Sequence, residues 1–463
     1  METSVVTGMQ SIQIPRCSNE TAASNEVRSV RDRREDLAAD PPEAESHNGV
    51  SECGSPRARI VVISQFFGQD QSAVGQFLAD FAREASEAGH DVRVICGAND
   101  YASEEVATRG ANRRRKLSTS RDREWPAERP AVGVERVRTA AFSQNSSKKL
   151  LSYATFYAGA AWKALRIPKP DIVVTLTAPP GLAWIGWLLQ RMRGCRHVTW
   201  EMDVYPDIAA SLGMPFAGWT AGLFDFPRRR ADAVIVLGDC MKARLLRHGV
   251  AENRIAVAEN WADGRLISPL PFPACPPLRI LYSGNLGLAH DVATIRVVME
   301  RLAVNPNIHF DFAGGGLERR KLMNFCREHG MTNASFRSYA LQQDLGASLA
   351  ECHVGLITQK AETLGSVVPS KLYGLMAAAR PALYIGPAAA TPALLIRRFN
   401  CGWHFECGDE AGVLALLLRL LDHPEEIHTK GHNGREAFQQ NYDKPAGVAR
   451  VIRALGLVVP SNC

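Results

Sequence analysis

Among the 463 residues, the stretch Val367-Val-Pro-Ser-Lys-Leu-Tyr-Gly-Leu-Met-Ala-Ala-Ala-Arg-Pro381 is the richest in chemistry. Pro369 suits the first turn of a helix or the residues just before it, and Ser370 is a residue type that caps a helix start. Lys371 then falls where unpaired N–H groups and the positive helix end already favour an anion. A cation at that place is suited to holding phosphate. Ala377 to Ala379 permit close packing, and Pro381 ends the helix. A second group is Trp200-Glu-Met-Asp-Val-Tyr-Pro-Asp207. Its carboxylates, Asp203 and Asp207, could orient a hydroxyl acceptor or remove its proton, or they could simply solvate a turn.

Three glycine-bearing loops add candidates. In Gln65-Phe-Phe-Gly-Gln-Asp-Gln-Ser-Ala-Val-Gly75, Gly75 falls in the opening turn of a helix, where backbone can approach a phosphate; a turn requirement explains it equally well. The spacing departs from the dinucleotide fingerprint, which argues against an NAD-linked enzyme. In Tyr282-Ser-Gly-Asn-Leu-Gly-Leu-Ala-His-Asp291, Gly284 and Gly287 leave N–H groups accessible. Asn285 and His290 could bond phosphate oxygens, the alternative being a turn capped by Asp291. In Ala313-Gly-Gly-Gly316, Gly315 and its neighbours admit a flat base or a phosphate, or merely supply flexibility.

These loops need strands and helices to position them. Ala58-Arg-Ile-Val-Val-Ile-Ser-Gln65 is a β-branched run typical of a buried parallel strand, followed by helical spacing at Phe77, Leu78, Phe81 and Ala85 and a second strand at 91–96. Strand–helix–strand requires a parallel sheet. Further strands are expected at 172–176, 197–200, 233–237 and 254–258, and a second series at 278–284, 308–313, 334–336, 354–357 and 381–385. Between the series, Pro269, Pro271, Pro273, Pro276 and Pro277 form a semi-rigid linker. The expected fold class is therefore α/β, with two Rossmann-like doubly wound domains facing across a cleft, where ligands of open sheets bind. The expected boundaries are a disordered extension at 1–57, a first domain at 58–264, a second at 278–441, and a final helix region at 442–463. Residues 109–130 read as a surface loop or a basic lid. A helix at 148–167 carries Leu150, Leu151, Tyr153, Phe156, Tyr157, Trp162 and Leu165, suited to core packing or to docking on a membrane surface.

Composition excludes several classes. Apolar residues at 46% and charged residues at 22% suit a globular chain, and the length suits two domains. A net charge of +6, from Lys and Arg scattered except at Arg113-Arg-Arg-Lys116 and Arg228-Arg-Arg230, suits anionic ligands or a membrane surface and not nucleic acid. Eleven cysteines, an odd number without C-x-x-C pairs, argue against a disulfide framework or zinc site and for thiols in a reducing cytoplasm. No signal-like apolar core precedes Ile60, and the run from Ile172 to Leu189 is broken by Pro179-Pro180.

From Arg59 onward the chain resembles a family-4 glycosyltransferase of the GT-B fold, in the bacterial branch that builds O-antigen, capsule and exopolysaccharide units. The resemblance rests on Gln65 with Asp70-Gln-Ser-Ala73, Gly89-His-Asp-Val92, Thr177-Ala-Pro-Pro180, Asp203-Val-Tyr-Pro206, Arg230-Ala-Asp232, Glu259-Asn-Trp-Ala-Asp263, Ser283-Gly-Asn-Leu-Gly287 and Pro369-Ser-Lys-Leu-Tyr-Gly374. It implies retaining transfer from a nucleoside-diphosphate sugar, UDP-linked by expectation, with no metal or other cofactor. The acceptor would be a glycan or lipid-linked glycan at the inner membrane face. It assigns Gly284, Asn285, His290, Gly315, Ser370, Lys371 and Tyr373 to the donor, Asp70, Gly75 and Asp207 to the acceptor side or cleft, and Asp203 to catalysis. The family's paired glutamates would fall at Ser366 and Gly374, so both acids are absent and Glu362 is out of register. Its histidine beside Asp203 is replaced by Met202. The missing glutamates keep open a nucleotide-sugar-binding partner of low activity, and the shared two-domain architecture keeps open a UDP-sugar epimerase.

Overall fold

Strand β1 (Arg59–Ile63) sends Ile60 and Val62 into one apolar cluster and Val61 and Ile63 into another. A strand apolar on both faces must be covered on both. The computed structural model describes residues 57–68, 72–98, 132–140, 146–214 and 218–458, the side chains of 146–149 excepted. The extension expected at 1–57 (Arg57 apart) and the loop at 109–130 lie outside the described residues.

The first lobe continues with α1 (Ala73–Glu87), β2 (Asp91–Gly97), β3 (Gly133–Val137), α2 (Ser146–Arg166), β4 (Ile172–Leu176) and α3 (Ala183–Arg193). It closes with β5 (Arg196–Trp200), α4 (Asp207–Ser211), α5 (Ala221–Arg230), β6 (Ala233–Val236), α6 (Asp239–Arg247) and β7 (Ile255–Val257). Its sheet is wholly parallel, in the order β3-β2-β1-β4-β5-β6-β7. The second lobe holds β8 (Leu278–Ser283), α7 (Ala293–Arg301), β9 (Ile308–Ala313), α8 (Leu317–Glu328), β10 (Ala334–Arg337), α9 (Leu345–Ala350) and β11 (Val354–Thr358). Then come α10 (Lys371–Ala377), β12 (Ala382–Ile385), α11 (Thr391–Phe399), β13 (Gly402–Phe405), α12 (Glu410–Asp422), α13 (Glu425–Asn441) and α14 (Lys444–Ala454). Its sheet is also parallel, ordered β10-β9-β8-β11-β12-β13. Strand order reverses between β1 and β4 and between β8 and β11, the places where open sheets leave a crevice.

The expected strands all form. Two more, β3 and β13, escape the sequence reading because they are short edge strands with mixed polarity. Helix α7 begins at Ala293, two residues beyond Asp291.

The Pro-rich linker is no free hinge. The buried Arg380 guanidinium donates to the carbonyls of Leu270 and Pro271 at 3.0 Å each and lies 3.9 Å from the Phe272 ring centre. His353 Nε2 reaches the Pro273 carbonyl at 3.1 Å. The linker is therefore docked on the second lobe, and the chain passes between lobes just before it. There Ala262 N–H donates to Tyr442 O at 3.2 Å and Gly264 N–H to Asp443 Oδ1 at 2.9 Å. Past that double crossing, α14 buries Val448, Val451 and Ile452, and the following Leu455, in the first lobe's core beside α1. Each such side chain contributes roughly 1.5–3 kcal/mol, enough to hold the return helix in place. Both lobes belong to one compact unit.

Candidate functional site

Helix α10 is short, but its period decides which of its residues face the cleft. Lys371, Gly374 and Leu375, at i, i+3 and i+4, line a cavity of about 190 Å³, while Leu372, Tyr373 and Met376 enter the core. Tyr373 is thus a correction to the donor-binding expectation: it is fully buried, 5.1 Å from the Tyr442 ring. Ser370 does line the cavity, but its hydroxyl makes no cap bond, because its own backbone is already helical at φ −80° and ψ −8°.

Lys371 Nζ lies 4.8 Å from the centre of the Tyr282 ring and pairs with no carboxylate among the described residues. Burial pushes its pKa down to about 8. A half-buried, desolvated cation without a counter-charge is costly unless a ligand supplies one. Gly284 explains how the side chain gets there: a Cβ at this position would stand 2.8 Å from Lys371 Cε, and the residue sits at φ +132°. Gly314 and Gly316 answer to loop packing, since added Cβ atoms would meet Gly284 O at 2.1 Å and Leu286 O at 2.3 Å.

The two loops zip together. Gly284 N–H donates to Ala313 O and Leu286 N–H to Gly315 O, both at 2.8 Å. The Gly284 amide, expected to be accessible, is therefore occupied. Gly315 itself packs against Tyr339, 3.1 Å from where its Cβ would be. Asn285 is exposed beside Gly316. His290 holds scaffold: Nδ1 meets the Thr358 carbonyl at 2.7 Å, and burial, then the nearby Lys371 charge, lower its pKa to about 3. With its N–H spent on a backbone carbonyl, the neutral ring has no donor left for a phosphate oxygen, which corrects that expectation.

The opposite wall comes from α1, whose Ala73, Gln76, Phe77 and Asp80 recur at helical spacing, and from Trp261, Ala262 and Asp263 at the lobe junction. Asp80 accepts from Trp261 Nε1 at 3.1 Å and lies 3.7 Å from Lys444 Nζ; burial raises its pKa against the pull of Lys444. The sequence reading missed Asp80 and Asp263 as site residues. The α1 stripe was the available signal. Gly75 is buried in the first turn of α1, where its N–H donates to Ser72 Oγ at 3.4 Å, and does not itself line the cavity. Asp70 lies outside the described residues.

Asp203 follows β5, outside this cavity. Its N–H donates to Thr177 Oγ1 at 3.2 Å, and its backbone bridges to Val367 on the segment leading to Lys371. Burial, then Glu201, raise its pKa to about 6. Asp207 is a correction. It pairs with Arg244 Nε at 3.0 Å and His248 Nε2 at 2.9 Å, while His248 Nδ1 reaches Asp225 at 2.9 Å and Arg228 joins Asp225 at 2.8 Å to Glu201 at 3.0 Å. That network consumes Asp207, so it is not free to hold an acceptor. It also reaches the second lobe, because Arg244 donates to Ser366 Oγ at 2.8 Å and Val204 N–H to Ser366 O at 2.8 Å. Among the described residues, no group of three or more His, Cys, Asp or Glu could hold a metal ion.

Residues 72–261 match the glycosyl transferase 4-like domain. The chain is 28% identical over 302 residues to WbjE of Pseudomonas aeruginosa, described as a glycosyltransferase, covering 60% of this chain and 72% of that one. It is 26% identical over 349 residues to WcaI of Escherichia coli (strain K12), described as a colanic acid biosynthesis glycosyl transferase, covering 69% and 81%. Among solved structures, HepE of Anabaena in complex with UDP and glucose superposes with a TM-score of 0.64 at 12% identity, covering 86% of this chain and 100% of that one. With the paired parallel sheets, these matches support a glycosyltransferase of GT-B architecture.

Proposed function

We propose that this glycosyltransferase moves a sugar from a UDP-sugar, with retention, to a hydroxyl of a lipid-linked glycan during cell-surface polysaccharide assembly. The observation that carries the reading is Lys371, a desolvated cation with no carboxylate partner among the described residues, on the wall of a cavity between the lobes. HepE supports the choice of UDP, since it was solved with that nucleotide. WcaI supports polysaccharide assembly.

Negative charge grows on the diphosphate as the glycosidic bond breaks, and a fixed cation aimed at it lowers the barrier. The apolar wall of Leu281, Leu345, Leu349 and Leu356 suits a nucleoside base, and Asp80 and Asp263 border it with their carboxylates already shared with Lys444. In this reading the departing phosphate takes the acceptor proton, and Asp203 orients that hydroxyl.

Titration calorimetry with UDP is the test. Lys371→Ala should weaken binding by about tenfold to a hundredfold, the loss of one charged hydrogen bond. Wild-type affinity should also fall as pH climbs through about 8, where the ammonium loses its proton, and the variant should be flat there. Unchanged affinity in the variant would remove Lys371 from the phosphate site.

A second reading has one observation in its favour. Gly374 and Ser366 stand where paired acids are expected, Ser366 is fully buried and tied to Arg244, and the space beside Gly374 is bordered by Leu349 and Ile267. A nucleotide-sugar-binding partner of low activity would bind UDP yet transfer nothing when purified alone.

A further inference from the structure

We propose that Gly374 leaves the cavity unable to read the 2′-hydroxyl of a bound nucleotide. The site then takes sugars carried on 2′-deoxynucleoside diphosphates, thymidine diphosphate among them, as well as UDP-sugars. The inference rests on the reading that the cavity holds a nucleoside diphosphate with its phosphates at Lys371. It adds which pentoses the site admits.

Helix α10 fixes the layout. Lys371 and Gly374 line the cavity one turn apart, a rise of about 4.5 Å. Beyond Gly374 the wall is apolar: Ile267, Leu281, Leu349 and Leu375 line the cavity and belong to one buried cluster. A nucleotide with its phosphates at Lys371 and its base on that cluster carries its pentose past Gly374.

Among the described residues, the wall beside Gly374 is carbon. Outside α10, the atoms within 4 Å of a Cβ built on Gly374 are Leu349 Cδ1 and Ile267 Cδ1, at 3.7 and 3.9 Å. The Gly374 carbonyl accepts from Ala378 N–H at 3.0 Å. The polar side chains of the cavity stand elsewhere. Ser370 precedes Lys371, and Ser283 precedes Gly284, on which Lys371 packs, so both adjoin the phosphate end. Gln76 and Asp80 belong to α1 on the opposite wall, and Asp80 and Asp263 share Lys444. Gln342 is exposed at the rim. A hydroxyl gains nothing from a wall without a hydrogen-bond partner, so its removal there costs nothing.

Titration calorimetry with UDP and 2′-deoxyuridine diphosphate tests the proposal, because the two differ by that hydroxyl alone. The wild type should bind both with affinities within about threefold of each other, and thymidine diphosphate should displace UDP. Gly374→Glu and the uncharged Gly374→Gln each place a hydroxyl acceptor on this wall. Gly374→Glu should favour UDP over the deoxy form by about tenfold or more, and Gly374→Gln by about fivefold. The ratio of the two affinities is the readout, so a general loss from a new charge beside Lys371 does not disturb it. A wild type that binds the deoxy form more than about threefold weaker would overturn the proposal. So would a thymidine diphosphate that fails to displace UDP, or a ratio unmoved in both variants at an unchanged melting temperature. Binding of neither nucleotide would remove the nucleotide reading itself, and the inference with it.

Discussion

The two side chains of the proposed chemistry are shifted by the same cause acting in opposite directions. Burial makes the charged form of Lys371 expensive and lowers its pKa, and it makes the charged form of Asp203 expensive and raises its pKa. Asp203 should therefore become a carboxylate only above about pH 6 in the free enzyme. If it orients or deprotonates the acceptor, kcat/KM for transfer should rise with pH across that value, and Asp203→Asn should erase the limb. A profile unchanged in the variant would leave Asp203 with a packing role. At this scale the sequence indicated Lys371 by its place after Pro-Ser, but misjudged Tyr373. Two residues along a helix is nearly the opposite face, and the period of α10 itself held the correction.

The α10 helix also holds an unfilled position. An added Cβ at Gly374 would come no closer than 3.7 Å to Leu349 and 3.9 Å to Ile267. Alanine there removes backbone freedom from the unfolded chain without a clash, so Gly374→Ala should stabilise the protein by about 0.5–1 kcal/mol. Urea unfolding measures this, and a loss of stability would mean that the helix needs the glycine. A second consequence sits where α4, α5 and α6 meet. Hydrogen bonds donated to Asp207 and then to Asp225 raise the His248 pKa to about 9, above the roughly 6.5 of a free imidazole. The folded protein therefore holds that proton more tightly than the unfolded chain. This contribution to stability is complete below about 6.5 and drains away as pH rises through 9. Melting temperature should fall over that window, and less so in His248→Gln. Equal slopes in both proteins would assign the decline to other groups.

Across the whole molecule, the loops at the carboxyl ends of the two sheets are interlocked. Thr391 Oγ1 stands 2.1 Å from where a Cβ of Gly238 would be, and the Cys240 carbonyl 2.5 Å from that of Gly365. Gly238 has φ 165°, an extended backbone that any residue adopts, so its small size serves the contact and not the turn. Gly238→Val should keep both lobes folded while preventing this approach. Small-angle scattering should show a larger radius of gyration, and transfer should slow because the cavity opens to water. An unchanged radius would show that the contact yields locally.

Much of this architecture was legible in the chain. Continuous β-branched runs such as 60–63 cannot be solvated on either side, so they specify parallel sheets covered by helices, and two such series specify two lobes. The Pro-Ser-Lys turn was equally readable. Which carboxylates meet the cavity was not. Asp207 is spent on His248, 41 residues away, and Asp80 meets Trp261 across 181 residues. Residue type and local spacing fix an element and its faces. A charged group's partner depends on which distant element packs against that face, and only the assembled core decides it.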